Sequence, residues 1–305
     1  MLAKFFGKSA PINYLFLSIV LLCGTLLYAF WGDQAPVENL FAVLGVGGLL
    51  VFSLLLLDFI IRKNRLNAGN NFGIYAFTLL ALTIPQALAR IELVWATVFC
   101  LLALRRIFSL SKPRNTEKKI LDAAIYIALA SFFSFYSILL LLLLYYAILA
   151  MSTVRFNYLV IPVLGFVAVG LLLTVFWILM YNSFNWFGQL ELLPVLDFSA
   201  YLDPGLMFLT GFIFLLGLLS VFTTLRRIRR LNRKARPFYL ILPLAIMLLM
   251  VSAILAADKD GSEWLVLFPL LSAGFATTVE VLPGRAFKET VLWLLLGCPL
   301  LAWIL

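Results

Sequence analysis

Residues 120–152 are an apolar run of 33 residues in which Asp122 carries the only charge. In hydrocarbon every backbone N–H and C=O must be satisfied within the segment, so a run of this kind has to be helical. A single helix of that length would reach about 50 Å, against a hydrocarbon core of roughly 30 Å. The run is therefore one very oblique span, or two short spans folded back at 131–137, where serines and aromatics replace the leucines. That choice inverts the sidedness of everything downstream.

Apolar runs recur along the whole chain, which is 64% hydrophobic and only 12% charged over 305 residues. This composition belongs to a polytopic membrane protein. Candidate spans are 12–30, 40–61, 72–89, 93–104, 120–133, 136–151, 156–181, 205–225, 238–256, 264–281 and 290–305. The first resembles a signal peptide in its Lys4 and Lys8 flank. Its full span length, with no small-residue cleavage pattern before Trp31, makes it an uncleaved first helix. Short-loop lysine and arginine set orientation, and they decide between the topologies. With 72–104 and 120–152 both folded as pairs of short helices, 21 of the 23 lysines and arginines fall on one side, leaving Arg90 and Lys259 on the other. With 120–152 as one span the division is 12 to 11.

The expected fold is thus all-α: one integral-membrane domain over 1–305, a transmembrane bundle of about eleven spans (nine to eleven). The N-terminus lies in the cytoplasm and the C-terminus in the periplasm of a bacterial inner membrane. Acidic residues, among them Asp33, Glu38, Glu92, Asp258, Asp260 and Glu263, gather on the outer side.

Histidine is absent, which removes imidazole metal ligands and histidine acid–base chemistry. The three cysteines lie in apolar runs without paired spacing, so no metal site and no cofactor is expected. Asp33 and Glu38, in the first outer loop, are the candidate catalytic pair: a general base and a substrate clamp, or else a turn followed by a helix start. Arg90 and Glu92 join the short pair 72–104 and are candidates for substrate or headgroup binding. They could equally mark the outer turn and neutralise each other. In the longest outer segment, 181–204, Trp186 and Tyr201 suit an interfacial belt, or the roof of a cavity for an amphipathic substrate. The loop 226–236 carries Arg226, Arg227, Arg229, Arg230, Arg233, Lys234 and Arg236. It would lie at the headgroups and attract anionic membrane lipids, its expected partners. Asp58 and Asp122 sit near cytoplasmic helix ends, within reach of Arg62 and of Lys118 and Lys119. No nucleic-acid-binding fold accompanies the positive net charge of +9.

The apolar pattern, the aromatic outer loop and the closing stretch with Phe268, Glu280, Lys288, Glu289 and Trp293 resemble a family of multi-pass inner-membrane proteins of Bacteroidota, classed as a domain of unknown function. That resemblance implies a membrane-embedded helical fold and no particular activity. In layout the chain is also similar to the GT-C membrane glycosyltransferases, in its eleven spans, its acidic first outer loop and its consecutive short helix pairs. That similarity implies a lipid-linked donor substrate and a catalytic role for Asp33. The first expectation for function is a component of envelope biogenesis, or an accessory subunit with membrane-protein partners. The alternative is a GT-C-like enzyme acting on a lipid-linked substrate at the outer face, with a transporter third.

Overall fold

A computed structural model describes residues 1–31, 40–112, 114–151, 154–189, 193–231 and 236–303. Among them the chain is helical throughout, without a strand. In chain order the helices are α1 (Leu2–Phe5), α2 (Pro11–Trp31), α3 (Leu40–Lys63), α4 (Phe72–Thr83), α5 (Ile91–Ser109), α6 (Thr116–Phe133) and α7 (Leu140–Leu149). They continue as α8 (Phe156–Tyr181), α9 (Pro204–Ile228), α10 (Arg236–Tyr239), α11 (Ile241–Leu255), α12 (Phe268–Val281) and α13 (Arg285–Ala302). Five stretches are long and apolar enough to cross a membrane by length and composition: Pro11–Phe30, Phe41–Lys63, Phe156–Tyr181, Pro204–Ile228 and Arg236–Leu255. Phe72–Thr83, Phe135–Leu149 and Phe268–Val281 are apolar but shorter.

The long run 120–152 folds back on itself. At Ser134 the backbone turns extended (φ −142°, ψ 98°), ending α6, and a 3-10 turn, Phe135–Leu139, leads into α7. Together the turn and α7 reach about 25 Å. The far end of α7 returns to where α6 began: Tyr146 Oη donates to Pro237 O at 3.1 Å. The neighbouring Phe238 and Tyr239 line a cavity with Lys118, Lys119 and Asp122. The turn itself lies at the opposite end, where 132–136 share a cavity with Arg90 and Asp258.

The segment 72–104 also folds back, with different boundaries from those its hydropathy suggests. Residues 72–89 read as one span, but α4 stops at Thr83. Pro85 offers no N–H and crowds Ile84 out of the helical region (φ −123°, ψ 88°). A 3-10 turn, Pro85–Leu88, carries the chain to Arg90, which precedes α5; that helix then runs on to Ser109.

The interior is apolar, as in a water-soluble protein, but here much of the outer surface is apolar too. Every residue of α4 is buried, and α12 is buried from Phe268 to Val279. The long α8 instead turns Leu164, Leu171, Leu172 and Leu179 outward. Such an apolar flank suits a hydrocarbon surround. Close helix approach depends on small residues. A Cβ on Gly165 would come within 2.7 Å of Ala124 Cβ, where α8 crosses α6, and one on Gly274 within 2.8 Å of Ser220 Cβ, where α12 crosses α9.

The two ends differ in charge. At the basic end, Glu280 of α12 accepts from Ala68 N at 2.6 Å, from Asn70 Nδ2, and from Arg227 at 2.9 Å. Arg62 Nε donates to Asp58 at 2.6 Å, and Glu289 receives the N-terminal amine and Ala3 N. At the acidic end Arg90 meets Asp258 and Asp260, and Trp303 Nε1 donates to Leu82 O at 3.0 Å. The chain therefore begins at the basic end, and its last described residue lies at the acidic one. The expected partner of Asp58 is the observed one. Asp122 pairs instead with Arg106 across to α5, at 2.9 Å, rather than with its own-helix lysines.

Candidate functional site

The acidic end is built from connections that short-range chemistry fixes. After α11, Lys259 turns inward and donates from Nζ to the carbonyls of Ala253 and Ile254, which the end of α11 leaves without helical partners. Its stem is covered, and burial lowers its pKa. The one outlying lysine in the charge distribution is thus a helix cap. Asp260 Oδ1 then accepts from Ser262 N at 3.0 Å and from the Ser262 hydroxyl, closing a tight turn. Gly261 takes a left-handed φ of +90°, readily adopted only without a Cβ. That turn launches the 3-10 helix Ser262–Val266 and points Glu263 inward.

Arg90 reaches this turn from the Pro85–Leu88 side. Its fork spans two carboxylates, Asp258 at 2.7 Å and Asp260 at 3.1 Å. The three side chains are between one third and one half exposed, so the pairs contribute only about 0–1 kcal/mol each. Their effect is positional: they clamp the connection after α4 onto the connection after α11. The expected neutralisation of Arg90 by Glu92 is replaced by this long-range pairing, because two carboxylates converge on the fork from 168 and 170 residues away.

Arg90 faces two cavities. One, of about 390 Å³, has a polar side made by Arg90, Glu92, Asp258 and Glu263, and an aromatic side that includes Phe132, Tyr136 and Trp177. The other, of about 710 Å³, lies between Tyr28, Gln86, Asp203 and Asp260. Volumes of this order are those of small-molecule sites.

Glu263 is the most perturbed acid here. It is 6% exposed; Oε1 accepts from Tyr201 Oη, which itself accepts from Trp264 Nε1 at 3.1 Å. Oε2 is buried with no hydrogen-bond partner among the described residues. Burial pushes its pKa up to about 7, against smaller opposing contributions from backbone N–H groups and Arg90. A carboxyl poised near neutrality on a cavity wall, beside an arginine, has the properties of a general acid or base.

The residues singled out from sequence divide between the two ends. Arg90 and Glu92 line the smaller acidic-end cavity. Trp186 lies behind that cavity's aromatic wall, its ring 6.5 Å from Phe132. It is buried, and its indole N–H donates to Thr174 Oγ1 at 2.9 Å, so it packs inward where a belt residue would face the interface. Asp33 and Glu38 lie outside the described residues, as does Arg233.

Arg226, Arg227, Arg229 and Arg230 belong to the basic end. Arg227 is held against the bundle by Glu280 and by Leu66 O at 3.1 Å. Arg226 lies 4.1 Å over the Phe222 ring, and Arg236 turns back onto the carbonyls of Arg229 and Leu231. Tyr201, read from sequence as a belt or roof residue, instead donates to Glu263; Asp258, Asp260 and Glu263 were read only as outer-side charge, and their place in the site was missed. The available signal was Glu263 at the head of an apolar run, where a charge costs most unless it is neutralised or paired. No protein-family model, curated protein or solved structure matches the chain.

Proposed function

We propose that the chain is a multi-pass protein of the bacterial inner membrane, a component of envelope biogenesis whose acidic end acts on the headgroup of a lipid-linked substrate. In this reading the chain makes eleven spans, the two folded-back segments contributing a pair each. The basic end and the N-terminus face the cytoplasm, and the acidic end faces the periplasm. The lysine and arginine distribution supports that orientation. Labelling tests it: Ser134→Cys, in a chain otherwise free of cysteine, should react with a membrane-impermeant maleimide added outside intact spheroplasts. Protection there, with labelling only after permeabilisation, would reverse the sidedness.

The observation that carries the functional reading is Glu263, buried, titrating near neutrality and adjoining a cavity with an aromatic wall. Arg90 supplies a cation for a phosphate, the aromatic wall suits sugar faces or an isoprenoid stem, and Glu263 can take or give the proton of a hydroxyl. A GT-C-like transfer is the mechanistic form this takes, with Asp33 and Glu38 as a separate candidate pair. An accessory role is the second reading. The double pairing of Arg90 with Asp258 and Asp260 favours it, since it gives that cation a structural task.

Complementation separates the two. A strain lacking the chain is supplied with the native protein or with Glu263→Gln at equal protein level, and its lipid-linked glycans are profiled by mass spectrometry. The enzyme reading expects the native chain to restore a missing lipid product and Glu263→Gln to fail. Full restoration by Glu263→Gln leaves the accessory role, and an unchanged profile on deletion removes the lipid-substrate reading altogether.

A further inference from the structure

A cavity of about 1090 Å³, larger than the two beside Arg90, lies at the basic end, away from the site above. Seven cations line it: Lys63 at the end of α3, Arg65 after it, Arg106 on α5, Lys112 and Arg114 in the next connection, and Lys118 and Lys119 on α6. Asp122 is the one carboxylate on its wall among the described residues, and it is already paired with Arg106. Orientation in a membrane requires cations on this side, but it does not require them to converge on a concavity.

Three arginines elsewhere at this end are paired or capping: Arg62 with Asp58, Arg227 with Glu280, Arg236 on helix carbonyls. Here they repel one another. Lys119 has its pKa lowered, first by burial and then by Lys63, Arg106 and Lys112. Its Nζ is held on the wall by Ser109 O and Lys112 O, both at 2.8 Å. Asn115, on the same wall, precedes the first turn of the 18-residue α6, so the free N–H groups of that turn add their positive dipole end. Glu117, in that turn, is exposed and does not line the cavity.

Arg65 and Asn115 are two of the three non-glycine residues with positive φ among those described, at +52° and +54°, and both face this space. Left-handed backbone is uncommon for an arginine and collects at functional sites. Phe108, Phe238 and Tyr239 complete an apolar flank.

We propose that this cavity binds a phosphate or pyrophosphate group, the anion class that matches several convergent lysines and arginines beside a helix N-terminus. The group comes either from a soluble phosphorylated compound or from a lipid headgroup entering along the apolar flank. This site is independent of the acidic-end reading.

The test uses the full chain in phosphatidylcholine nanodiscs at low salt, in two arms. Inorganic pyrophosphate is titrated by calorimetry. In parallel, phosphatidic acid is doped into the discs and its retention on the protein is read by native mass spectrometry. Binding is expected in at least one arm, weakened about tenfold or more in Lys112→Gln/Arg114→Gln/Lys118→Gln, since three charge-assisted contacts are lost together. It should stay within about twofold in Lys4→Gln/Lys8→Gln/Arg155→Gln, where only exposed charge away from the cavity is removed.

Binding of pyrophosphate alone marks a soluble source, and of phosphatidic acid alone a lipid source. No binding in either arm overturns the proposal, and so does equal loss in both triple variants. Should the first triple fail to fold, the exposed single change Arg114→Gln gives the same comparison, with Arg114→Lys expected to restore binding.

Discussion

Glu263→Gln should make the folded chain more stable at pH 8 and flatten its dependence on pH. The Glu263 carboxyl has a pKa of about 7 in the folded chain, against an ordinary value of 4.5, and burial is the chief cause. Its proton therefore favours the fold. The stabilisation is complete below the ordinary value and is lost as pH rises through about 7. At about 1.4 kcal/mol per pKa unit, the native chain should lose roughly 3 kcal/mol across that interval. Glutamine keeps the shape and still accepts from Tyr201, but it never charges. The apparent melting temperature of the purified chain, followed from pH 4.5 to 8.5, should fall for the native protein and stay level for Glu263→Gln. Glu289, held below the ordinary range by the N-terminal amine, acts in the opposite direction and only at lower pH. A native curve without a fall in this window would mean that Glu263 ionises freely, and its acid–base role would go with it.

Glu280→Ala should be the most damaging single change at the basic end. Its carboxylate joins three stretches of chain: the connection after α3 through Ala68 and Asn70, α9 through Arg227, and α12, which carries it. Removing it leaves Arg227 one third exposed and without its carboxylate, and two donors without their acceptor. Losing one partner of a fully buried pair costs about 3–5 kcal/mol, and the partial exposure here brings the expectation to about 2 kcal/mol. A double-mutant cycle with Arg227→Ala checks the mechanism. Coupling through the pair makes the combined loss smaller than the sum of the single ones, whereas strict additivity would assign Glu280 to its contacts with Ala68 and Asn70 alone.

The helices were readable because lipid allows little else, and the fold-back at 131–137 was readable because charge constrains loops more tightly than length constrains helices. Pro85 carried the true end of α4 in plain sight, yet hydropathy does not stop at a proline. What sequence could not supply was convergence. Arg90 finds Asp258 and Asp260 far along the chain, and no local periodicity announces that meeting. Trp186 looked interfacial until Thr174 offered its indole a partner inside. Lys112, Arg114, Lys118 and Lys119 were legible as a marker of sidedness. That they line one hollow with Lys63 and Arg65 is a property of packing alone.

The complete enclosure of α4 has a consequence for how the chain is assembled. At 12 residues this helix reaches about 18 Å, too short to settle across a bilayer by itself. Its covering comes chiefly from α12 and α13, made some 200 residues later, and Tyr75 Oη seals the contact by donating to Leu292 O at 2.9 Å. During synthesis α4 is therefore covered only on the side of α2, α3 and Phe6, whose ring packs on Tyr75, until the C-terminal helices close over it. A chain released before α12 would leave the facing side of this helix uncovered, which makes the closing of α12 and α13 over it the step that commits the molecule to its final form.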